Sequence, residues 1–173
     1  YLTKLYLAAF LRAPETSGLN YWSNKVLIEG DSLQEVGGVI FSIPSVTAIY
    51  PIFLTSTQFV EQIYQQVFDR ASDPAGSAYW TNELNALITQ FTNQGSANPF
   101  FEARAQVTLN MINAGIGAVG ADGHDYIMNR MAVAQYTIDA QIANGNEISP
   151  AELAAIMATV NENPATVTAA MAA

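Results

Sequence analysis

Residues 64–80, YQQVFDRASDPAGSAYW, repeat the pattern of residues 6–22, YLAAFLRAPETSGLNYW, at an offset of 58 positions. Both stretches follow the motif Y-x3-F-x-R-A-x4-G-x2-Y-W, and the match includes both tryptophans of the chain. The matching residues are Tyr6, Phe10, Arg12, Ala13, Gly18, Tyr21 and Trp22 in the first copy, and Tyr64, Phe68, Arg70, Ala71, Gly76, Tyr79 and Trp80 in the second. A match of this kind in one register indicates an internal duplication. We place the first copy at residues 1–26 and the second at residues 59–84.

Each copy is predicted to form a helix, a tight turn and a second helix. In the second copy, apolar side chains recur at helical spacing between Phe59 and Phe68, which makes one apolar face. Pro74 suits the first position of the following helix, where its missing N–H costs no hydrogen bond. The residues predicted to cap the second helices are Thr16 or Ser17 in the first copy, and Ser72 or Asp73 in the second.

The glycines and aromatic residues of the motif are predicted to pack the two helices of a copy together. Gly18 and Gly76 fall in the first turn of the second helix, where a side chain would obstruct the first helix. The aromatic pairs expected to fold back onto the first helix are Tyr21–Trp22, against Tyr6 and Phe10, and Tyr79–Trp80, against Tyr64 and Phe68. A sugar-stacking platform is the functional alternative. We favour core packing, because aromatic residues at helical spacing are typical of helix–helix contacts.

Arg12 and Arg70 are predicted to end the first helices, where a cation meets the negative end of the helix dipole. Each is followed three residues later by an acid, Glu15 or Asp73, which predicts an ion pair across the turn. A binding site for an anion is the functional alternative for these arginines. We favour the ion pair because the partner acid recurs in both copies.

The rest of the chain carries further helix signals and no convincing alternation of polar and apolar residues that would indicate a strand. We predict a helix from Leu33 to just before Pro44, an irregular stretch around Pro51, a polar loop over residues 93–99, and later helices beginning near Pro99, Asp125, Pro150 and Pro164. The fold is therefore predicted to be all-α, with about seven to nine helices and the duplicated units packed as one helical bundle. Residues 1–92 are the tandem repeat region, and residues 93–173 are a C-terminal helical region packed on it.

The composition limits the classes of partner and site. The net charge is −9 and the six basic residues are spread singly, so neither nucleic acid nor an anionic membrane surface is an expected partner. No apolar stretch reaches the length of about 18 residues that a membrane-spanning helix needs. The chain has no cysteine, which excludes disulfides, thiolate zinc sites and cysteine nucleophiles.

The glycine-rich segment 115–125 is the candidate metal site. Asp122 and Asp125 are candidate calcium ligands, because Ca²⁺ takes several oxygen ligands on a flexible backbone. The segment lacks both the EF-hand pattern and the Gly-Gly-x-Gly-x-Asp repeat, so a solvated loop with an Asp helix cap is the alternative. His124 has no Ser or Cys partner pattern and is the only histidine. We therefore predict no catalytic residue, no cofactor-binding residue and no histidine metal site.

The duplicated motif resembles the repeat of a bacterial domain family of unknown function, which occurs in secreted S-layer, haemolysin-type (RTX) calcium-binding and adhesin proteins. Its helical pattern is also similar, more distantly, to the linker polypeptides of phycobilisomes. Residues 129–137, NRMAVAQYT, and the tail from Asn163 are similar to the segments after the repeat in several S-layer-like members. The resemblance is specific at the two motifs and looser between residues 93 and 124.

The resemblance implies a position on the outer surface of a Gram-negative bacterium, after export by a type I system. It implies an anchoring or assembly module, and helical regions of this kind in S-layer proteins can bind lipopolysaccharide. The family provides no catalytic set, and residues 1–173 contain no RTX nonapeptides from which calcium ligands could be carried over. Because the chain starts in mid-pattern at Tyr1, we expect it to be a piece of a longer protein.

Three functions are consistent with the sequence. The first is a non-catalytic cell-surface module that contacts a surface glycan, lipopolysaccharide or neighbouring copies of itself. The second is an intracellular linker or scaffold, and the third is a polysaccharide-acting enzyme that uses two carboxylates. We favour the first, because phycobilisome linkers are usually basic whereas this chain is acidic. In addition, helix capping explains most of the carboxylates.

Overall fold

The computed structural model describes residues 1–172, which form ten α-helices and no strand. The helices are α1 (Leu2–Ala9), α2 (Thr16–Asn24), α3 (Leu33–Ser42), α4 (Pro44–Ile49), α5 (Ser56–Phe68), α6 (Pro74–Asn93), α7 (Pro99–Gly117), α8 (His124–Asn144), α9 (Pro150–Ala158) and α10 (Pro164–Ala172). The all-α prediction is confirmed. The helix count exceeds the predicted seven to nine because α4 occupies part of the stretch that we expected to be irregular, with Pro44 as its first residue.

Both copies of the motif form helix-turn-helix units, α1–α2 and α5–α6. The turn begins at equivalent residues, Leu11 and Asp69, which adopt the left-handed conformation with φ of 57° and 53°. This conformation is uncommon for residues with a side chain, and it reverses the chain direction just before the motif arginine. The arginines therefore lie in the turn, beyond the ends of α1 and α5, and not in the helices themselves.

Four helix starts, those of α3, α5, α6 and α9, have a local side-chain cap. Ser32 with Glu35, Thr55 with Gln58, and Ser149 with Glu152 form complete capping boxes. In the second copy, Asp73 caps α6 as predicted, accepting a hydrogen bond from the N–H of Gly76 at 2.8 Å.

The start of α2 differs from that of α6, its counterpart in the second copy, because it has no local side-chain cap. Thr16 and Ser17 lie inside α2 and do not cap it. Glu147, far along the chain, accepts a hydrogen bond from the N–H of Ser17 at 2.7 Å. The prediction of a local cap at this position was wrong, because the cap comes from the loop between α8 and α9.

The core lies where α7 and α8 cross the two repeat units. Helix α7 packs most extensively against α3 and α6, and α8 packs against α1, α5 and α10. Fully buried members include Leu5, Ile40, Phe59, Ile63 and Ile112. Burial of each such side chain contributes about 1.5–3 kcal/mol, so the duplicated helices depend on the C-terminal helices for much of their stability.

Arg104 is buried in this core, and it forms no ion pair with a carboxylate of residues 1–172. Its guanidinium donates to the carbonyl oxygens of Tyr50 and Pro51 at 3.1 Å and of Leu54 at 3.2 Å. The cation also lies 4.2 Å from the ring centroid of Phe100. Burial lowers the pKa of Arg104 to about 10. Arg104 therefore ties α7 to the segment that leads into the second copy.

Arg130 has the corresponding role for the first copy. It donates to the carbonyl oxygen of Leu11 at 2.8 Å and to that of Met157 at 3.3 Å. Its charge is also without a carboxylate partner within residues 1–172, and burial lowers its pKa. The bond to Leu11 holds the left-handed residue that opens the first turn.

No helix among the described residues is both long and apolar enough to cross a membrane, in agreement with the sequence.

Candidate functional site

The motif glycines allow the two helices of each copy to approach closely. A Cβ atom on Gly18 would collide with the hydroxyl oxygen of Tyr6, and one on Gly76 would lie 2.6 Å from the hydroxyl oxygen of Tyr64. Both glycines lie in the first turn of the second helix, as expected from the sequence. The glycines therefore serve packing within each unit.

The Tyr-Trp pairs divide between core and surface. Trp22 is buried and Trp80 is partly buried, but Tyr21 and Tyr79 are 55% and 56% exposed. In each pair the two rings meet edge to face, with centroids 4.9 and 4.8 Å apart. The prediction that both members fold back onto the first helix was wrong for the tyrosines. Successive helical residues point about 100° apart, so only one of the two can face the first helix.

In the first copy the motif arginine is neutralised within the turn. Arg12 forms an ion pair with Glu15, and both side chains are largely buried, at 12% and 17% exposure. Arg12 also donates from Nη1 to the carbonyl oxygen of Ala13 at 2.9 Å. Since Glu15 is engaged by Arg12, it makes no cap bond to α2, and Glu147 supplies that cap instead. The predicted ion pair is present in this copy.

In the second copy the same arginine forms no ion pair with any residue that the structure describes. Arg70 donates from Nη1 to the carbonyl oxygen of Ala71 at 3.1 Å, which matches the bond from Arg12 to Ala13. Asp73 caps Gly76 instead, and this hydrogen bond is the main cause of its lowered pKa, with the charge of Arg70 a smaller one. The predicted ion pair between Arg70 and Asp73 was wrong. The side chain of aspartate is one methylene shorter than that of glutamate, and here it caps α6. The Nε of Arg70 is buried and has no acceptor among residues 1–172.

A cavity of about 150 Å³ opens beside Arg70. It is lined by Tyr64, Phe68, Arg70, Trp80, Met111, Ala114, Gly115, Ala118, Ala121 and Asp122. The aromatic residues of the lining come from the motif, and the small residues lie at or just beyond the end of α7. The two charged residues are Arg70 and Asp122. Sequence reasoning placed these two residues in separate candidate sites, and the fold brings them to one cavity.

The candidate calcium ligands lie in the loop between α7 and α8. Asp122, Asp125 and Glu162 line a second small cavity, but residues 1–172 contain no group of three or more His, Asp or Glu side chains placed to hold one metal ion. The Nδ1 of His124 lies 3.0 Å from the carbonyl oxygen of Gly115, which docks the loop onto the end of α7. Helix α8 begins after Gly123, in the left-handed conformation, and not after an Asp cap. Calcium binding by Asp122 and Asp125 stays a prediction.

Apolar side chains protrude from two connecting segments. Leu27 and Ile28 follow α2 in a π-helical turn (Lys25–Glu29), and Leu27 is 81% exposed. Ile52 and Phe53 lie between α4 and α5, and Phe53 is 82% exposed. Sequence reasoning missed both pairs, although the adjacent Gly30 and Pro51 mark these apolar residues as belonging to turns.

A DUF4214 domain, described as a domain of unknown function, is found at residues 45–92. The matched region covers most of α4, all of α5 and nearly all of α6, and it includes the second copy of the motif with Arg70. Neither a curated protein nor a solved structure matches the chain.

Proposed function

We propose that this chain is a non-catalytic structural and interaction module of a larger secreted bacterial protein at the cell surface. It joins neighbouring copies of itself or anchors to a surface glycan or lipopolysaccharide. The exposed apolar pairs Leu27–Ile28 and Ile52–Phe53 carry the proposal. Single exposed apolar residues are ordinary, whereas adjacent ones that protrude from turns are suited to a partner surface.

The placement of the polar groups supports a non-catalytic role. Glu35 and Glu152 complete capping boxes, and Glu147 caps α2. His124 bonds to the backbone of Gly115. These titratable groups are spread along the surface in roles that the fold itself requires, rather than converging on one reacting centre.

Assembly is tested by sedimentation velocity of the purified chain over a range of concentrations, with and without calcium. A double substitution, Leu27→Ser with Ile28→Ser, should shift the distribution towards monomer. Ile142→Ser is the matched control, because Ile142 is 67% exposed but lies on α8, outside the turns.

Anchoring is tested by pull-down of outer-membrane glycan and lipopolysaccharide with the purified chain. Retention of this material supports the anchoring role. A chain that binds no outer-membrane material and stays strictly monomeric, with calcium present, would overturn the proposed function.

A further inference from the structure

The duplication provides an internal comparison of the same arginine in two states. In both copies Nη1 donates to the carbonyl oxygen of the next residue, at 2.9 Å for Arg12 and 3.1 Å for Arg70. Both guanidinium groups also lie over the motif tyrosine, 5.5 Å from the ring centroid of Tyr6 and 4.8 Å from that of Tyr64. The two guanidinium groups thus share these two contacts, although only that of Arg12 also lies over the motif phenylalanine, 5.4 Å from the ring centroid of Phe10. The main difference is the carboxylate that only Arg12 receives.

The missing carboxylate leaves a charge and a donor unsatisfied beside the cavity. Asp73, the nearest equivalent acid, is held by the N–H of Gly76, and Arg70 forms no ion pair among the described residues. The buried Nε of Arg70, like that of Arg104 in the core, has no acceptor there, so the unpaired charge beside the cavity is the feature that distinguishes Arg70 from Arg12. An arginine fork matches a carboxylate in geometry as well as in charge. The first copy therefore shows, with Glu15, which chemical group suits the second.

The walls of the cavity favour a sugar as the carrier of that carboxylate. Trp80 and Tyr64 present aromatic surface, which suits the C–H face of a sugar ring, and Asp122 offers carboxylate oxygens that accept from hydroxyl groups. An acidic peptide side chain also carries a carboxylate, but it has no hydroxyl groups to donate to Asp122. Since one water needs about 10–15 Å³ of such space, the cavity accommodates a ligand of roughly ten non-hydrogen atoms.

We propose that the cavity beside Arg70 binds an acidic sugar residue, with the carboxylate of the sugar on the guanidinium of Arg70 and its ring against Trp80. This inference rests on the anchoring part of the proposed function. It assigns the site to the second copy alone, because Glu15 already occupies the corresponding position on Arg12.

The test is an NMR titration of the 173-residue chain, observed at the two tryptophan indole N–H signals. Galacturonate is the probe, galactose lacks the carboxylate, acetate lacks the ring, and a blocked glutamate peptide represents an acidic protein partner. Galacturonate should shift the signal of Trp80 and leave that of Trp22 in place. It should bind at least about tenfold more tightly than galactose, as expected for a hydrogen bond to a charged group.

Variants separate the role of Arg70 from general effects on the fold. Arg70→Gln should weaken galacturonate binding at least about tenfold, while the matched Arg12→Gln should change it less than about twofold. Asp73→Glu keeps Arg70 and introduces the acid of the first copy, so it should also weaken binding by competition. Circular dichroism checks that each variant is folded.

Several results would overturn the site. These are equal binding to wild type and Arg70→Gln, equal binding of acetate and galacturonate, tighter binding of the peptide, or no shift of Trp80. Pull-down of outer-membrane glycan that persists in Arg70→Gln would overturn the site while leaving the anchoring function standing. Galacturonate binding without any glycan pull-down would support the site and count against that function.

Discussion

The two copies of the motif share the same helix-turn-helix packing and differ in the polar contacts of the turn. In the first copy, Arg12 is paired with Glu15, and Glu147 reaches in to cap the second helix. In the second copy, Asp73 caps its own helix and leaves Arg70 unpaired beside a cavity. The copy with glutamate thus has an ion-paired arginine. The copy with aspartate, which is one methylene shorter, has an arginine without an ion pair among residues 1–172. Duplication kept the packing residues in both units and left the polar groups of the turns to diverge.

The largest expected effects come from the two buried arginines that tie the C-terminal helices to the copies. Arg104→Met should lower the free energy of unfolding by about 3 kcal/mol, because it removes three hydrogen bonds to carbonyl groups and leaves the buried carbonyl of Tyr50 without this donor. Arg130→Met should have a similar effect. Urea denaturation measures both, with Arg70→Met as the control, which should cost less than about 1 kcal/mol.

Hydrogen exchange then separates the two copies. Arg104→Met should raise exchange first in the segment before α5, and Arg130→Met in the turn around Leu11. Uniform loss of protection in both variants would show that these arginines act on the whole core and do not act on one copy each.

The glycine positions should respond equally in the two copies. Gly18→Ala and Gly76→Ala should each cost about 1–3 kcal/mol, because the new methyl group meets the hydroxyl of Tyr6 or Tyr64. Adding Tyr64→Phe to Gly76→Ala should recover part of the loss. If Gly76→Ala is neutral in thermal denaturation, the close packing of α5 and α6 at this point is not needed for stability.

Removing the motif arginine should destabilise the chain more in the first copy, which has the ion pair, than in the second. Both losses should be smaller than those of the glycine variants. Arg12→Gln should destabilise the chain by about 1 kcal/mol, since it removes a largely buried ion pair, whereas Arg70→Gln should cost less. The difference between their urea midpoints is the measurement. Equal destabilisation by the two variants would mean that Arg70 has a structural partner after all.

The smallest effect concerns the pH dependence of the first copy. Hydrogen bonds from Ser17 lower the pKa of Glu147 below its ordinary value of 4.5. A lowered pKa in the folded state contributes stability above pH 4.5 that is lost as the pH falls through the folded pKa. Glu147→Gln should therefore be less stable than wild type at pH 7, and the gap should narrow below pH 4.5 in thermal melts. A gap that stays constant between pH 7 and pH 3 would contradict this role.

Sequence reasoning succeeded where the physical cause is local. The all-α fold, the capping box at Ser149 and the cap at Asp73 depend on residues three or four positions apart, within reach of a single helical turn. The same reasoning failed for Tyr21 and Tyr79. The motif does not state which member of a Tyr-Trp pair faces inward, because this depends on the rotation of the second helix about its axis.

The sequence predicted only part of the candidate site. The motif predicts an ion pair for both arginines, with an anion site as the alternative. That prediction held for Arg12 and failed for Arg70, because a carboxylate three residues away can either pair with the arginine or cap the helix. The aromatic wall was visible in the motif, but Asp122 reaches the cavity only through the path of the loop after α7.

The sequence by itself determined the duplication, the helical class and the close approach of each helix pair at Gly18 and Gly76, since these follow from spacing along one chain. The tertiary structure decided which polar groups meet. Arg104 binds carbonyl groups 50 to 54 positions away, and Arg130 binds the carbonyl group of Leu11, 119 positions away. Glu147 caps a helix 130 positions before it. Such partners are set by how α7 and α8 cross the two copies, because packing brings distant segments together. That packing also brings Asp122 to the cavity beside Arg70.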